Sequence, residues 1–247
     1  MHALQALTAP AGGSFNRRRI LTLAALAGLG GCVSVELPAI SHVHVGHVLS
    51  GWLDTPERQG LLPVALADAR VAVEHAGYAV QGAREIDSVR MHLGHVLHAL
   101  DPSVEATGPG SGYGLLKALD GAAQHLGFAA EVPDASASLR QGLPLQVESL
   151  RALLREAGTL LTLAQRGRQD GDAGQVLAYA EETLSRSRAL QAGLEQLRTR
   201  LQALLQLEQP PYRSVAQRYL FGLIRLPSGA WTFSESLRTG GGSYSSY

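Results

Sequence analysis

The chain has 247 residues, 21 basic against 21 acidic side chains, and a single cysteine, Cys32. Aromatic residues make up only 5% of it while leucine and alanine dominate, a composition of packed helices more than of a β-sandwich. A neutral balance without clustered positive charge excludes a broad nucleic-acid-binding surface, and a lone cysteine excludes an internal disulfide, a thiolate metal cage and a Cys-x-x-Cys-His haem attachment.

The first 31 residues carry Arg17, Arg18 and Arg19 and no acidic residue. An apolar run of twelve residues follows from Ile20 to Gly31, too short to remain in a bilayer as a spanning helix. Leu29-Gly30-Gly31-Cys32 closes this run. Small residues before a cysteine suit peptidase cleavage, and the thiol then suits acylation. The stretch resembles a bacterial lipoprotein signal, and Asn16-Arg17-Arg18-Arg19-Ile20-Leu21 within it resembles the twin-arginine export signal. Three adjacent arginines satisfy many patterns, so the ordinary unfolded-export route stays open beside it.

The resemblance covers residues 1–32. It implies a signal peptide over 1–31, lipidation of Cys32, and a periplasm-facing protein held in the cell envelope by its lipid. Val33 in place of aspartate after the cysteine favours the outer membrane, by analogy with enterobacterial sorting. Cleavage there leaves 216 residues with 18 basic and 21 acidic side chains, a net charge near −3, and no free thiol.

Residues 32–60 read as a histidine-containing arm. No helical period runs through them, Gly46, Gly51 and Pro56 are turn-formers, and Val43-His44-Val45 alternates as an extended segment would. Residues 61–142 read as a histidine-rich helical region. Its first helix covers about 62–82, with Pro63 suited to the first turn. Asp87 or Ser88 caps the second, which Asp101-Pro102 stops. The third opens after the loop Gly108-Pro109-Gly110-Ser111-Gly112-Tyr113-Gly114 and runs to about Glu131, where Pro133-Asp134 breaks or re-caps it. That loop follows a helix and lacks a Lys-Ser or Lys-Thr ending, so it is no P-loop. A connector that permits close packing fits it better than an anion nest.

Residues 143–209 carry two apolar stripes at helical spacing. Val147, Leu150, Leu154, Ala157, Leu161 and Ala164 form one; Leu190, Leu194, Leu197, Leu201 and Leu204 form the other. The polar turn from Gly167 to Asp172 separates them, so the segment predicts a long antiparallel αα-hairpin. Burial of the stripes at ~25 cal/mol per Å² of apolar surface is its main support. Pro210-Pro211 ends it, and 210–247 hold a short apolar segment around 219–226 and a tail too polar and glycine-rich to pack. The fold class expected is all-α: a multi-helix bundle with a long hairpin in its C-terminal half.

Eight of the nine histidines lie between His42 and His125. Two short segments match, His44-Val45-Gly46-His47-Val48-Leu49 and His92-Leu93-Gly94-His95-Val96-Leu97, at an offset of 48 residues. The match is short, and either a duplicated ligand motif or an accident accounts for it; the first copy does not read as helix, so no structural repeat is expected. In the second, at ~100° per residue, Leu93, Val96, Leu97 and Leu100 share one face, and Met91, His92, His95 and His98 another. A solvated face would ordinarily carry glutamate, lysine or arginine there. Neutral imidazoles coordinate copper and zinc, and a thioether biases towards Cu(I).

The candidate metal ligands are therefore His92, His95 and His98 with contributions from His44, His47, His75 and His125. His42 is a further arm histidine in reach, and Asp68, seven residues before His75, could orient the second nitrogen of that ring. Each histidine also has a bland alternative as a half-buried polar residue, and His98 in the last turn of its helix suits the helix dipole.

Haem is disfavoured by the scarcity of aromatics, a carboxylate-bridged di-iron centre by the absence of paired Glu-x-x-His motifs, and a zincin by the absence of His-Glu-x-x-His. No nucleophile–base pair points to turnover, so no enzyme is expected. The expected protein binds a transition-metal ion, copper or zinc, for sequestration, delivery or sensing. The alternative is a structural or adaptor lipoprotein in which the hairpin engages a protein partner and no metal binds.

Overall fold

A computed structural model describes residues 33–220 and 223–233. The leader, Cys32 and the glycine-rich tail lie outside the described residues. The chain divides into two compact units, one of them Leu37–Gln217 with Leu226–Ala230. The larger is an all-α bundle of six helices: α1 Ile40–Leu49, α2 Leu61–Gln81, α3 Ile86–Leu100, α4 Leu115–Glu131, α5 Ala137–Gln169 and α6 Ala173–Gln206.

The long hairpin is α5 and α6. Its seam buries Leu150, Ala157, Leu160 and Ala164 on one side and Leu190, Leu194, Leu197 and Leu201 on the other. Asp172 caps α6, its carboxylate accepting from the Gln175 amide at 2.9 Å. Ser136 caps α5 likewise, accepting from the Leu139 amide at 3.1 Å. The helix therefore begins before Pro144, which sits inside it and leaves the Arg140 carbonyl without its usual partner four residues on. Three of the shorter helices pack against this hairpin, α5 lying against α4 and α3 and α6 against α2, while α1 packs against α4 and α2.

Two expectations need correction. The segment around His44 is not an extended arm: it is the helix α1, buried at Ser41, His42, Val45, Gly46, His47 and Val48. Its first amides are capped from a distance, since the Asp134 carboxylate accepts from Ile40 N at 2.6 Å and Ser41 N at 3.0 Å. The chain ends also contribute a little strand. The smaller unit contains a four-stranded sheet in the order β2-β1-β3-β4, with β1 Val33–Glu36, β2 Gln217–Leu220, β3 Leu223–Arg225 and β4 Trp231–Phe233. β1 runs parallel to β3, pairing Val35 with Ile224, and β3 antiparallel to β4, pairing Ile224 with Thr232. No helix among the described residues is long and apolar enough to cross a membrane.

Candidate metal centres

Helix packing sorts six histidines into two separate trios. In the first, α1 presents His44 and His47 one turn apart and α4 presents His125. In the second, α3 presents His92 and His95 one turn apart and α2 presents His75. Within each trio one nitrogen from every ring lies within 4.8 Å of the others. Residues three apart on a helix share a face, so the paired histidines already point together; the packed neighbour supplies the third ring.

The contacts are closer than ring stacking requires. His125 Nδ1 lies 3.2 Å from His44 Nδ1 and 3.3 Å from His47 Nδ1. His75 Nδ1 lies 3.1 Å from both His92 Nδ1 and His95 Nδ1. A neutral imidazole nitrogen carries either one hydrogen or one lone pair in the ring plane. One Nδ1 facing two others can satisfy only one of them by hydrogen bonding. A single ion would satisfy all three lone pairs at once. Two nitrogens bound to a tetrahedral ion at ~2.0–2.1 Å stand about 3.3–3.4 Å apart, close to the spacings found. Either trio can thus hold a metal ion, with a fourth position left for a ligand from outside.

The surroundings keep the rings in the donor form. Burial lowers the pKa of His125 to about 4, with the neighbouring His47 and His44 pushing the same way. Burial also lowers His44, against an opposing pull from Asp134. His75 is lowered by burial and then by His95 and His92, His92 by burial and His95, and His95 by burial and then by His98 and Arg168. The cost of a charge in a half-buried cluster of like groups falls on the protonated form, so these rings are neutral at neutral pH.

Aromatic rings wall both trios. Trp52 lies 4.5 Å from His47 and 4.6 Å from His125, and Phe128 5.5 Å from His44, centroid to centroid. Tyr78 stands 5.4 Å from both His75 and His92, and its hydroxyl donates to Glu74 at 2.7 Å.

The other residues singled out from the sequence are engaged elsewhere. His98 joins neither trio: it is buried, and its Nδ1–H donates to the Glu105 carbonyl at 2.8 Å. A side chain at Gly108 would strike the His98 Cβ at 2.7 Å and its ring at 2.9 Å, so the glycine-rich loop packs over it. Asp68 does not orient His75; its two oxygens accept from the amide and hydroxyl of Ser111 at 2.7 and 2.6 Å. The loop is thus pinned to α2, with Gly110, Gly112 and Gly114 all at positive φ. His42 pairs with Glu208 at 3.0 Å, away from either trio. Met91 on α3 is half exposed.

Sequence reading found the ligand types but not their partition. The missed signal is a second internal match. His75-Ala76-Gly77-Tyr78-Ala79 recurs as His125-Leu126-Gly127-Phe128-Ala129, 50 residues on. It marks the two helices that donate a third ligand. Compared with family models, curated proteins and solved structures, the chain matches none of them.

Proposed function

We propose that this protein is an envelope-facing lipoprotein, anchored through Cys32, that binds transition-metal ions at its histidine trios for sequestration, delivery or sensing. It is a binding protein and not an enzyme. The convergence of three Nδ1 atoms in each trio carries the metal-binding part of this proposal. An all-imidazole donor set favours copper or zinc over magnesium or calcium, which prefer oxygen ligands. Burial disfavours the protonated form of His44, His75, His92, His95 and His125, so an incoming ion meets little competition from protons at those rings. The membrane is the one partner implied by the leader, and the outer faces of the hairpin offer a surface to a protein partner.

Untagged mature protein recovered from the envelope is expected to carry copper or zinc by elemental analysis, and the stripped protein to rebind it in titrations with Cu(I), Cu(II) and Zn(II). His92→Ala/His95→Ala is expected to lose metal at that trio while keeping its helical content, since alanine is the better helix former. Equal stoichiometry and affinity in wild type and variant would reject metal binding there and leave the adaptor role. In a Cys32→Ser variant the protein is expected to leave the membrane fraction or to persist as uncleaved precursor; normal processing and retention would rule out the anchor.

A further inference from the structure

We propose that α1–α4 is an internal duplication, α1–α2 being one copy and α3–α4 the other, and that one metal ion in each trio clasps the two copies together, two ions per chain. This rests on the metal-binding role proposed above and goes beyond it in stoichiometry and in what the ions do.

Each copy contains the same two motifs in the same order. His-x-Gly-His-Val-Leu comes first, at His44 and at His92, and His-x-Gly-aromatic-Ala follows, at His75 and at His125. The burial register repeats with them. Ala72, Ala76 and Ala79 face the core on α2, and their counterparts 50 residues on, Ala122, Leu126 and Ala129, face it on α4. On α1 and α3 the buried pairs Val45 with Leu93 and Val48 with Val96 keep the 48-residue offset. The glycines of the second motif also share an environment: a side chain built at Gly77 or at Gly127 would meet nothing within 4 Å. A common helix face with a common set of inward positions is what two copies of one ancestral hairpin would retain.

The copies are packed crosswise. α1 lies against α4 and α2 against α3, each far more extensively than either helix touches the other member of its own copy. Each trio accordingly draws its one-turn histidine pair from one copy and its third histidine from the other. His44 and His47 meet His125, while His92 and His95 meet His75. Sequence nearness alone would set His125 beside His95, about 30 residues before it, yet it meets His44 and His47, 81 and 78 residues away. The reciprocal arrangement is that of a two-fold dimer whose interface residues contact each other in swapped pairs, here fused into one chain. An ion at either trio therefore bonds both copies, and since it binds the packed form and not the unfolded chain it stabilises their association by mass action.

The test uses the intact mature protein, stripped of metal and titrated with Zn(II) alone, with bound ions counted by native mass spectrometry. Wild type is expected to take two ions, His125→Ala one, and His75→Ala one. The combinations carry the topology. Adding His44→Ala/His47→Ala to His125→Ala is expected to cost nothing more and leave one ion. Adding His92→Ala/His95→Ala to His125→Ala is expected to leave none. Hydrogen exchange of the wild type should slow on α1 and α4 together for one ion and on α2 and α3 together for the other. Glutamine in place of alanine gives a second series in which the side-chain volume is largely kept.

A single ion in the wild type, or loss of the His92/His95 ion in His125→Ala, would overturn the crosswise assignment while leaving metal binding intact. Protection confined to one helix of each pair would overturn the clasp. No bound zinc in the wild type would overturn this inference, and the metal-binding role falls with it only when Cu(I) and Cu(II) fail to bind as well.

Discussion

Leu197→Asp is expected to destabilise the bundle by several kcal/mol and to lower its melting temperature by about 10 °C or more. Leu197 is fully buried in the α5–α6 seam, between Leu194 and Leu201 on the same helix face. A carboxylate there either stays charged without a partner in an apolar layer or forces the seam open to water. Both outcomes cost more than the loss of the leucine packing alone, which Leu197→Ala measures at about 2–5 kcal/mol. The two variants should therefore rank Ala above Asp in stability, with urea and thermal unfolding agreeing on the order. A melting temperature close to wild type for the aspartate variant would mean that the seam faces water in solution.

That hairpin was the most legible part of the sequence, for a physical reason. A helix buried along one stripe and wet elsewhere shows a 3.6-residue period, and both stripes recur over many turns. The polar turn with Asp172 as cap and the proline pair at 210–211 bracket it with local signals. α1 offered neither kind of signal. Ile40–Leu49 is covered on several sides, so apolar and buried residues fall all around it and no stripe stands out. Its cap is no local residue either: Ala39 occupies the N-cap position with no side-chain bond, and Asp134 reaches in from 94 positions away. A valine-rich ten-residue segment with turn-formers after it looked extended because nothing nearby in sequence said otherwise.

The same limit governed the histidines. One-turn spacing is a property of a single helix, so His92 with His95 could be placed on one face from the sequence. The third ligand depends on which helix packs alongside. His98 is near His95 in sequence but turns to the Glu105 carbonyl, while His75, 20 residues away, closes on His95 at 3.1 Å. The small sheet was hidden by the same physics. β1 pairs with β3 across most of the chain length, Val35 with Ile224, and strands of three or four residues carry too little alternation to announce a partner.

Glu208→Ala is expected to cost about 2–4 kcal/mol, because it removes a buried acceptor on which two hydrogen bonds converge. Glu208 and His42 are 2% and 4% exposed. The Arg213 amide donates to His42 Nδ1 at 3.3 Å, which places the ring hydrogen on Nε2, where it donates to Glu208 Oε2 at 3.0 Å. The other oxygen, Oε1, accepts from the Ser136 hydroxyl at 2.6 Å, and Ser136 itself caps α5. One carboxylate thus ties α1, the start of α5 and the segment following α6. Alanine leaves the His42 N–H buried without its acceptor, at about 1–3 kcal/mol, and takes from the half-buried Ser136 hydroxyl the bond that holds it. Glu208→Gln keeps one carbonyl acceptor, so it should lose less, and adding His42→Ala to Glu208→Ala should cost far less than the two changes taken separately, because the orphaned partner goes with it. The damage should also be local in a way that zinc titration can read. α1 carries His44 and His47, so Glu208→Gln is expected to weaken zinc binding at the His44, His47 and His125 trio and to leave the His75, His92 and His95 trio as it was. Additive losses in the double variant, or equal weakening of both trios, would show that the His42–Glu208 pair does not hold α1 in place.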